Sequence, residues 1–288
     1  MNRVNTNTPD AASLLTDGQR PGESSAWPPL DIAAVAAALG DLARRFDVDI
    51  LAECDSTNAR LLALAEAGAA SGSVLAAEHQ TAGRGRRGRE WLSASGDSLT
   101  FSLLWRFPPN LPLSGLSLAV GVALARALES LGIPGITLKW PNDVLLNGRK
   151  LAGVLIEMTT GVRSGAAVIG VGINLRLPRA MPESIRQTAA ALVDAGTALP
   201  TPSILLAQLL AALHEVLQSF AAEGFVGQRQ AWLLRHAYEG QRVNLLSDFA
   251  APLQGYCRGV DHDGALLLET TSGIQRIVSG EVSLRAAP

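Results

Sequence analysis

Residues 80–91 read QTAGRGRRGREW and lie between two strand-like segments, Ser73–His79 and Ser98–Trp105. Three glycines and four arginines fill the seven positions from Gly83 to Arg89. Glycine lets a ligand approach backbone N–H groups closely, and arginine supplies planar donors that suit carboxylate and phosphate oxygens. The stretch therefore predicts a loop between two strands that binds a small anion.

Three other interpretations of this loop compete with the anion site. Gly83, Gly85 and Gly88 match the G-x-G-x-x-G fingerprint of a nicotinamide dinucleotide-binding oxidoreductase, but the required helix and the acidic residue about 20 positions later are missing. Nucleic-acid binding would show a broad positive charge, whereas the chain has 24 Lys+Arg against 26 Asp+Glu and a net charge of -2. A solvated surface loop without a ligand stays open until other motifs are considered.

The composition indicates a globular protein. A chain of 288 residues that is 48% hydrophobic and 17% charged favours one main domain with a small appendage. Polar residues interrupt its longest apolar stretches, so none reaches the roughly 18 residues of a membrane span. The first residues lack the apolar core of a secretory signal. Cys54 and Cys257 form neither a metal motif nor a disulfide framework, so we expect two packed thiols in a cytoplasmic protein.

The N-terminal part predicts a tail and one helix. Residues 1–30 are rich in Asn, Thr, Ser, Gly, Asp and Pro, a composition typical of disorder. Asp31–Phe46 has apolar residues at helical spacing, so we expect residues 31–47 to form one helix that docks on the next domain. A helix-turn-helix DNA reader needs a second helix, but the chain enters the strand Val48–Glu53 instead.

The polar run Asp55-Ser56-Thr57-Asn58 precedes the helix-favouring residues Ala59–Ala67, and Gly68 is placed to end that helix. One polar side chain is enough to cap a helix N-terminus. The remaining hydroxyl and amide groups can face a ligand there, where the helix dipole favours negative charge.

The segment Ile136–Glu157 holds a second group of candidate residues. Asn147-Gly148 between apolar runs is the strongest short-range hairpin signal. This hairpin places Lys139 and Lys150 on paired or neighbouring strands. Taken alone, Lys150 also fits a solvated charge at the end of a hairpin.

Pro141 and Asn142 are expected to break the first of these strands and create a bulge that re-aims Asp143. Two lysines and one aspartate would then converge. Asp143 is also an ordinary turn former, so the pattern alone does not decide its role.

Ala166–Leu175 is predicted as a buried strand. Gly170 and Gly172 lie two positions apart and leave one face without side chains, so a ligand or another backbone can lie flat there. A close-packed strand or a barrel-like bend explains the same pattern. Strands joined by hairpins, with helices inserted between them, predict an α+β fold with a mixed or antiparallel sheet.

Helical periodicity predicts helices at Leu113–Leu131, Ile204–Ala222 and about Phe225–His236. Near residue 238 the pattern changes to short strands separated by Gly and Asp turns, which predicts a small β-barrel domain of about 50 residues. These strands are Val243–Leu246, Leu253–Val260, Ala265–Glu269 and Ile274–Val278. The four histidines show no metal-ligand spacing.

Taken in order, the G-R-G-R-x-G-R-x-W loop, the K-W-P-N-D…K-x-A-G segment and Gly170–Asn174 resemble the biotin–protein ligases. The resemblance covers about residues 48–286. It implies a class II synthetase-like (biotin–lipoate ligase) catalytic domain at 48–237 and an SH3-like domain at 238–288. It also implies that biotin and ATP form biotinyl-5'-AMP, and that biotin then passes to a lysine of the biotin carboxyl carrier protein of acetyl-CoA carboxylase.

The resemblance assigns nine residues to biotin: Ser56, Thr57, Gln80, Gly83, Arg84, Arg86, Lys150, Gly153 and Gly170. The first three would hydrogen-bond the ureido ring. The next three would hold the carboxyl end and the adenylate phosphate, and the last two would line the pocket. Lys150, Arg84 and Arg86 are also the implied catalytic residues, because cations must offset the repulsion between a carboxylate and the α-phosphate.

Four further residues are assigned to the nucleotide: Trp91, Asn142, Asp143 and Asn174. Trp91 would close over the ligand, and Asn174 would lie near the nucleotide. Asn142 and Asp143 would serve a metal, the nucleotide or the incoming lysine. Mg²⁺ is the expected cofactor beside the substrates ATP and biotin, and no protein ligand is assigned to it.

The expected partners are biotin, ATP and the carrier protein, without DNA or membrane, and a homodimer is left open. Residues 1–47 are too short to form the DNA-binding domain of family members that repress biotin synthesis, so we expect no operator binding. A lipoate or octanoate ligase of the same fold is the nearest alternative. Gln80 and the Ser56-Thr57 pair favour biotin over it.

Overall fold

The computed structural model of the chain describes residues 27–159, 165–179, 181–247, 252–278 and 282–286. Most of the expected tail, residues 1–26, lies outside these ranges. Its last four residues differ from the expectation, because Trp27 and Leu30 pack against the core. The Leu30 amide also donates to Glu78 Oε1 at 2.6 Å.

The described residues contain α-helices of four to 22 residues. They are α1 (Ile32–Leu39), α2 (Thr57–Ala67), α3 (Leu116–Ser130), α4 (Glu183–Arg186), α5 (Pro202–Glu223) and α6 (Val226–Leu233).

Seven strands form the larger sheet. They are β1 (Asp47–Cys54), β2 (Ser73–Gln80), β3 (Ser98–Arg106), β4 (Ile136–Lys139), β5 (Asp143–Leu146), β6 (Arg149–Met158) and β7 (Ala166–Asn174). Their spatial order is β1-β2-β3-β7-β6-β5-β4, with β1 and β2 parallel and all other neighbours antiparallel. The predicted α+β class with a mixed sheet is confirmed.

The C-terminal part forms a separate antiparallel sheet. Its strands are β8 (Arg242–Ser247), β9 (Leu253–Val260), β10 (Leu266–Thr270), β11 (Gly273–Ile277) and β12 (Val282–Ala286). They lie in the order β11-β10-β9-β8-β12, and the two outer strands do not pair with each other within the residues described, so this SH3-like domain is an open sheet. β12 was not among the predicted strands.

Local sequence signals set the ends of α1 and α2. Ser56 caps α2 by accepting the Ala59 amide, and Gly68 ends it with a φ of 104°. The helix predicted over Asp31–Phe46 is shorter, because Gly40 takes a φ of 56° and begins a 3₁₀ helix that spans Gly40–Arg45. Left-handed backbone of this kind is easiest for glycine, so the α-helix ends at Leu39.

The hairpin predicted at Asn147-Gly148 is confirmed, with φ values of 49° and 78° at the turn between β5 and β6. The bulge predicted at Pro141 and Asn142 is wrong. These residues belong to a turn between two separate antiparallel strands, β4 and β5, in which Lys139 pairs with Asp143. A tight turn after Lys139 is what brings that lysine opposite the aspartate.

Helices cover both faces of the larger sheet. α3 and α5 pack on each other and build the main core on one face, and α2 packs on the opposite face over β3 and β7. α5 is long and apolar enough to cross a membrane by length and composition alone. Its buried side chains, however, belong to the main core, where it contacts α1, α3 and α6.

The segment that leads into the C-terminal sheet is hydrogen-bonded to β4 of the larger sheet. Ala237 donates its amide to the Leu138 carbonyl at 2.9 Å, and Leu138 donates to Arg235 at 2.7 Å. The Trp140 indole N–H donates to the Gly264 carbonyl at 3.1 Å. This junction brings Leu284 of β12 to the mouth of the main pocket.

Candidate functional site

A pocket opens on the α2 side of β6 and β7. Its walls are the N-terminus of α2, the loop at residues 84–91 and the turn between β4 and β5. Eleven of the predicted site residues line it: Ser56, Thr57, Gln80, Arg84, Arg86, Trp91, Asn142, Asp143, Lys150, Gly153 and Gly170. Residues from four separate parts of the chain therefore meet in one cavity.

Two predicted residues, Gly83 and Asn174, lie outside this lining. Gly83 accepts the Trp91 amide at 2.9 Å, and a Cβ on it would lie 2.7 Å from the Trp91 carbonyl oxygen. The buried Asn174 amide donates to the Ala190 carbonyl at 3.0 Å and lies 3.5 Å from the Lys150 carbonyl. Both residues support the backbone of a lining residue instead of facing the cavity.

The inner end of the pocket is polar and tightly connected. Gln80 Oε1 accepts from the Thr57 amide at 2.7 Å and from the Thr57 hydroxyl at 3.1 Å. The Ser56 hydroxyl oxygen accepts the Ala59 amide, which leaves its proton available. These bonds fix the Gln80 amide so that its Nε2 group is the part left to donate.

Asn58 closes the same end, although its individual role was not predicted. Its Nδ2 group donates to Glu157 Oε2 at 2.9 Å, and its Oδ1 lies 2.5 Å from the Ser102 hydroxyl. A Cβ on Gly170 would lie only 2.3 Å from Asn58 Oδ1. The glycine therefore makes room for the asparagine.

A flat patch follows next to this polar end. Gly153 of β6 pairs with Gly172 of β7, and the Trp91 indole lies across both. A Cβ on Gly172 would lie 2.4 Å from Trp91 Cε2. The face that the sequence left bare for a ligand or a backbone thus holds the tryptophan of the glycine–arginine loop.

The loop itself folds as a small closed turn. Arg84 and Glu90 form a β-bridge, and the Gly85 amide donates to the Arg89 carbonyl at 2.7 Å. Only one 3₁₀ turn, Arg86–Gly88, occurs in it, so no helix begins at the G-x-G-x-x-G glycines. The dinucleotide-binding alternative lacks the helix that it requires.

The mouth of the pocket is positively charged around one carboxylate. Asp143 Oδ1 lies 2.7 Å from Lys150 Nζ, and its Oδ2 lies 3.8 Å from Lys139 Nζ. Burial lowers the pKa of Lys139, against the opposing effect of Asp143. Burial also lowers the pKa of Arg86, which stays charged because a guanidinium titrates far above neutral pH.

These charges bear on a metal ion, one of the three alternatives left open for Asp143. Each of its two oxygens faces an ammonium group, so a further cation there would meet two positive charges at close range. The donor set around Asp143 does not fit a metal ion.

The sequence analysis assigned no ligand to several other lining residues, among them Asn58, Lys139, Gly172 and Leu284. Asn58 was one of four polar residues in a run that capping partly explained. Lys139 was expected near Asp143 but not assigned, and Gly172 carried a signal in its spacing from Gly170. Leu284 lies on the strand that was not predicted.

The pocket thus presents three surfaces in succession, namely a polar end, a flat patch and a cationic mouth. Such an arrangement fits a small acid whose head group carries hydrogen-bonding groups and whose carboxylate reaches the cations. The mouth carries more cations than one carboxylate needs, so it can also bind phosphate groups.

Two family models match the chain. Residues 51–174 match the Biotin/lipoate A/B protein ligase family, and residues 239–285 match the Biotin protein ligase C terminal domain. The first match contains all the predicted site residues, since these run from Ser56 to Asn174.

Relatives resemble the chain over most of their length. The biotin–[acetyl-CoA-carboxylase] ligase of Paracoccus denitrificans is 37% identical over 245 residues, covering 81% of this chain and 98% of the relative. The bifunctional ligase/repressor BirA of Escherichia coli is 37% identical over 271 residues, covering 93% and 83%. The biotin protein ligase of Aquifex aeolicus, solved in complex with biotin and ATP, superposes with a TM-score of 0.72 at 34% identity, covering 84% and 99%.

Proposed function

Because the chain belongs to the biotin protein ligase family, we propose that it activates biotin with ATP and transfers it to a lysine of the biotin carboxyl carrier protein of acetyl-CoA carboxylase. It is an enzyme that forms a carbon–nitrogen bond. The observation that carries the proposal is the succession of surfaces in the pocket. A ureido head, an apolar body and a carboxylate follow one another in biotin in the same order.

The polar end would recognise the ureido ring. The Gln80 Nε2 group and the Ser56 hydroxyl can donate to its carbonyl oxygen, because their oxygens are already engaged by the protein. The ring N–H groups need acceptors, which Thr57 Oγ1 and Asn58 Oδ1 offer. Gly153 and Gly170 would line the pocket where the bicyclic body lies beside Trp91.

The cationic mouth would serve the first step. A biotin carboxylate oxygen forms a bond to the α-phosphorus of ATP, and the bond to pyrophosphate breaks. Lys150, Arg84 and Arg86 would offset the repulsion of the two anions and stabilise the charge of the transition state. Gly83 and Asn174 would act through the backbones of Trp91 and Lys150, which they support.

The second step needs a neutral amine near the acyl carbon. The carrier lysine attacks that carbon, the bond to the AMP oxygen breaks, and the amine releases one proton. Holding the two partners in place supplies most of the rate in a step of this kind. Asn142, whose side chain donates to the Val154 carbonyl, borders the mouth where the carrier would enter.

The adenylate must be shielded from water between the two steps. We assign this role to the loop at residues 84–90, with Trp91 as its apolar anchor. Mg²⁺ would enter as part of the MgATP substrate. We further propose that the ligase is cytoplasmic and does not bind operator DNA. The second point is supported by segment 27–46, which holds one α-helix and one 3₁₀ helix and packs through α1 on α5. A homodimer stays an open proposal.

Calorimetry tests the proposal directly. We expect heat on mixing with biotin and, in the presence of ATP and pyrophosphatase, accumulation of biotinyl-5'-AMP. Lipoate and octanoate, which lack a ureido ring, are the matched control ligands. Binding of either of these acids without binding of biotin would rule out the proposed substrate.

A further inference from the structure

The two lysines of this chain both lie in the pocket. Of its 24 Lys+Arg residues, 22 are arginines, and the lysines are Lys139 and Lys150. The inference that follows rests on the proposed function, in which the pocket makes an acyl adenylate. That reagent acylates neutral amines, so the site encloses its own intermediate together with its own two amines.

One carboxylate is placed to oppose acylation of these two amines. Asp143 lies between them, with Oδ1 2.7 Å from Lys150 Nζ and Oδ2 3.8 Å from Lys139 Nζ. The Asp143 and Lys139 side chains are 15% and 11% exposed, so solvent screens their interaction poorly. A nearby negative charge favours the ammonium form of a lysine, and an ammonium nitrogen has no lone pair with which to attack.

Lys139 is the amine at greater risk. Burial lowers its pKa, and the cations Arg285, Lys150 and Arg89 act in the same direction. Among the charged groups around it, Asp143 alone opposes this change. Without that carboxylate, a larger share of Lys139 would be neutral in the pocket.

We propose that Asp143 is a positioning residue that protects the enzyme from its own intermediate, because its carboxylate pairs with both Lys139 and Lys150 while the carrier lysine is acylated. When this control is lost, the lysine nitrogen attacks the acyl carbon of biotinyl-AMP. The carbon–oxygen bond to AMP breaks, AMP leaves with the electron pair, and one proton passes from nitrogen to solvent. The product is a biotinyl amide on the enzyme itself.

The remaining cations agree with this proposal. A guanidinium stays protonated at any ordinary pH, so the 22 arginines offer positive charge without a reactive amine. The chain thus keeps lysine only where Asp143 pairs with it.

The test uses synthetic biotinyl-AMP without carrier protein, so it does not depend on the first step. Wild type and Asp143→Asn are incubated with the reagent, and peptide mass spectrometry measures biotin on Lys139 and Lys150. We expect at least about tenfold more modification in the variant, because loss of an opposite charge at this distance raises the share of neutral amine. Equal modification of both proteins, with the reagent shown to bind, would overturn the proposal.

Further variants isolate the carboxylate. Asp143→Glu restores the negative charge and should return modification toward the wild-type level, which a merely structural role would not require. Asp41→Asn makes the same chemical change at an exposed ion pair and should match wild type. Arg44→Lys places an amine on the exposed surface and is the positive control for acylation. Should wild type itself fail to make adenylate from biotin and ATP, the proposed function fails separately, because the reagent here is supplied.

Discussion

Gly172 and Trp91 are in such close contact that no side chain fits between them. A Cβ on Gly172 would lie 2.4 Å from Cε2 and 2.9 Å from Nε1 of the indole. Gly172 cannot move away easily, because it pairs with Thr100 of β3 on one side and Gly153 of β6 on the other. The position of Trp91 therefore depends on the absence of a side chain at Gly172 in the central sheet.

Gly172→Ala should open the loop over the site. The added methyl group displaces Trp91 by about 1 Å, and misplacement on that scale costs up to about 100-fold in rate. More important, the adenylate should escape and hydrolyse, so that AMP formed per biotin transferred rises above one. Quantifying both products with the carrier protein in excess measures this ratio.

A double-mutant cycle shows whether Gly172 acts through Trp91. Trp91→Phe removes the indole atoms closest to Gly172 and keeps an aromatic ring, so the alanine should have a smaller effect in that background. Gly121→Ala, which meets Leu138 at an ordinary 3.5 Å, is the control for a glycine-to-alanine change in the core. An undiminished alanine effect in the phenylalanine background would argue for a disturbance of the sheet instead.

Lys150→Ala should remove adenylate formation while the fold is kept. Loss of one group that stabilises transition-state charge lowers rates by about 100- to 1,000-fold, and Lys150 is partly exposed. Exchange of labelled pyrophosphate into ATP reports this step alone. Lys150→Arg, which keeps the charge, should lose less, and near-normal exchange in the alanine variant would refute the assigned role.

Thr57→Val tests the polar end of the pocket. The change keeps the shape but removes the hydroxyl that bonds Gln80 and lies 2.7 Å from the Ser102 hydroxyl. The bound ureido ring would then lose the acceptor proposed for one of its N–H groups. An unpaired buried donor costs about 1–3 kcal/mol, so the Kd for biotin should rise about tenfold or more. Ser73→Ala, which removes an exposed hydroxyl that donates to the Ala70 carbonyl, should leave the Kd unchanged.

Local signals explain how much of this site was predictable from sequence. The turn at Asn147-Gly148 and the cap at Ser56 depend on residues that are close together in the sequence, and the structure has both. The convergence of Lys139, Asp143 and Lys150 followed from the hairpin, although the expected bulge was in fact a turn between two strands.

Contacts between distant parts of the chain explain what was missed. Nothing near Gly172 indicates that Trp91, 81 positions earlier, fills its bare face. Asn174 carries a polar side chain at the end of a strand beside the site, and only the fold shows that it bonds the backbone of residues 150 and 190. β12 follows a stretch outside the described residues, and its Leu284 reaches the pocket only because two sheets join.

The stability of the protein should fall in mild acid because of His214. This side chain lies on α5 between the rings of Phe46 and Trp105, and burial lowers its pKa, with Arg45 acting in the same direction. Its folded state then binds a proton less readily than the unfolded chain, whose histidines titrate near pH 6.5. The stabilisation is complete above that pH and is lost as the pH falls through and below it. Urea unfolding at pH 7.5 and pH 5.5 measures the difference, and His214→Phe, which keeps an aromatic ring there, should flatten it. If wild type and His214→Phe lose the same unfolding free energy between pH 7.5 and pH 5.5, the acid sensitivity belongs to other groups. The buried His236 is then the next residue to test.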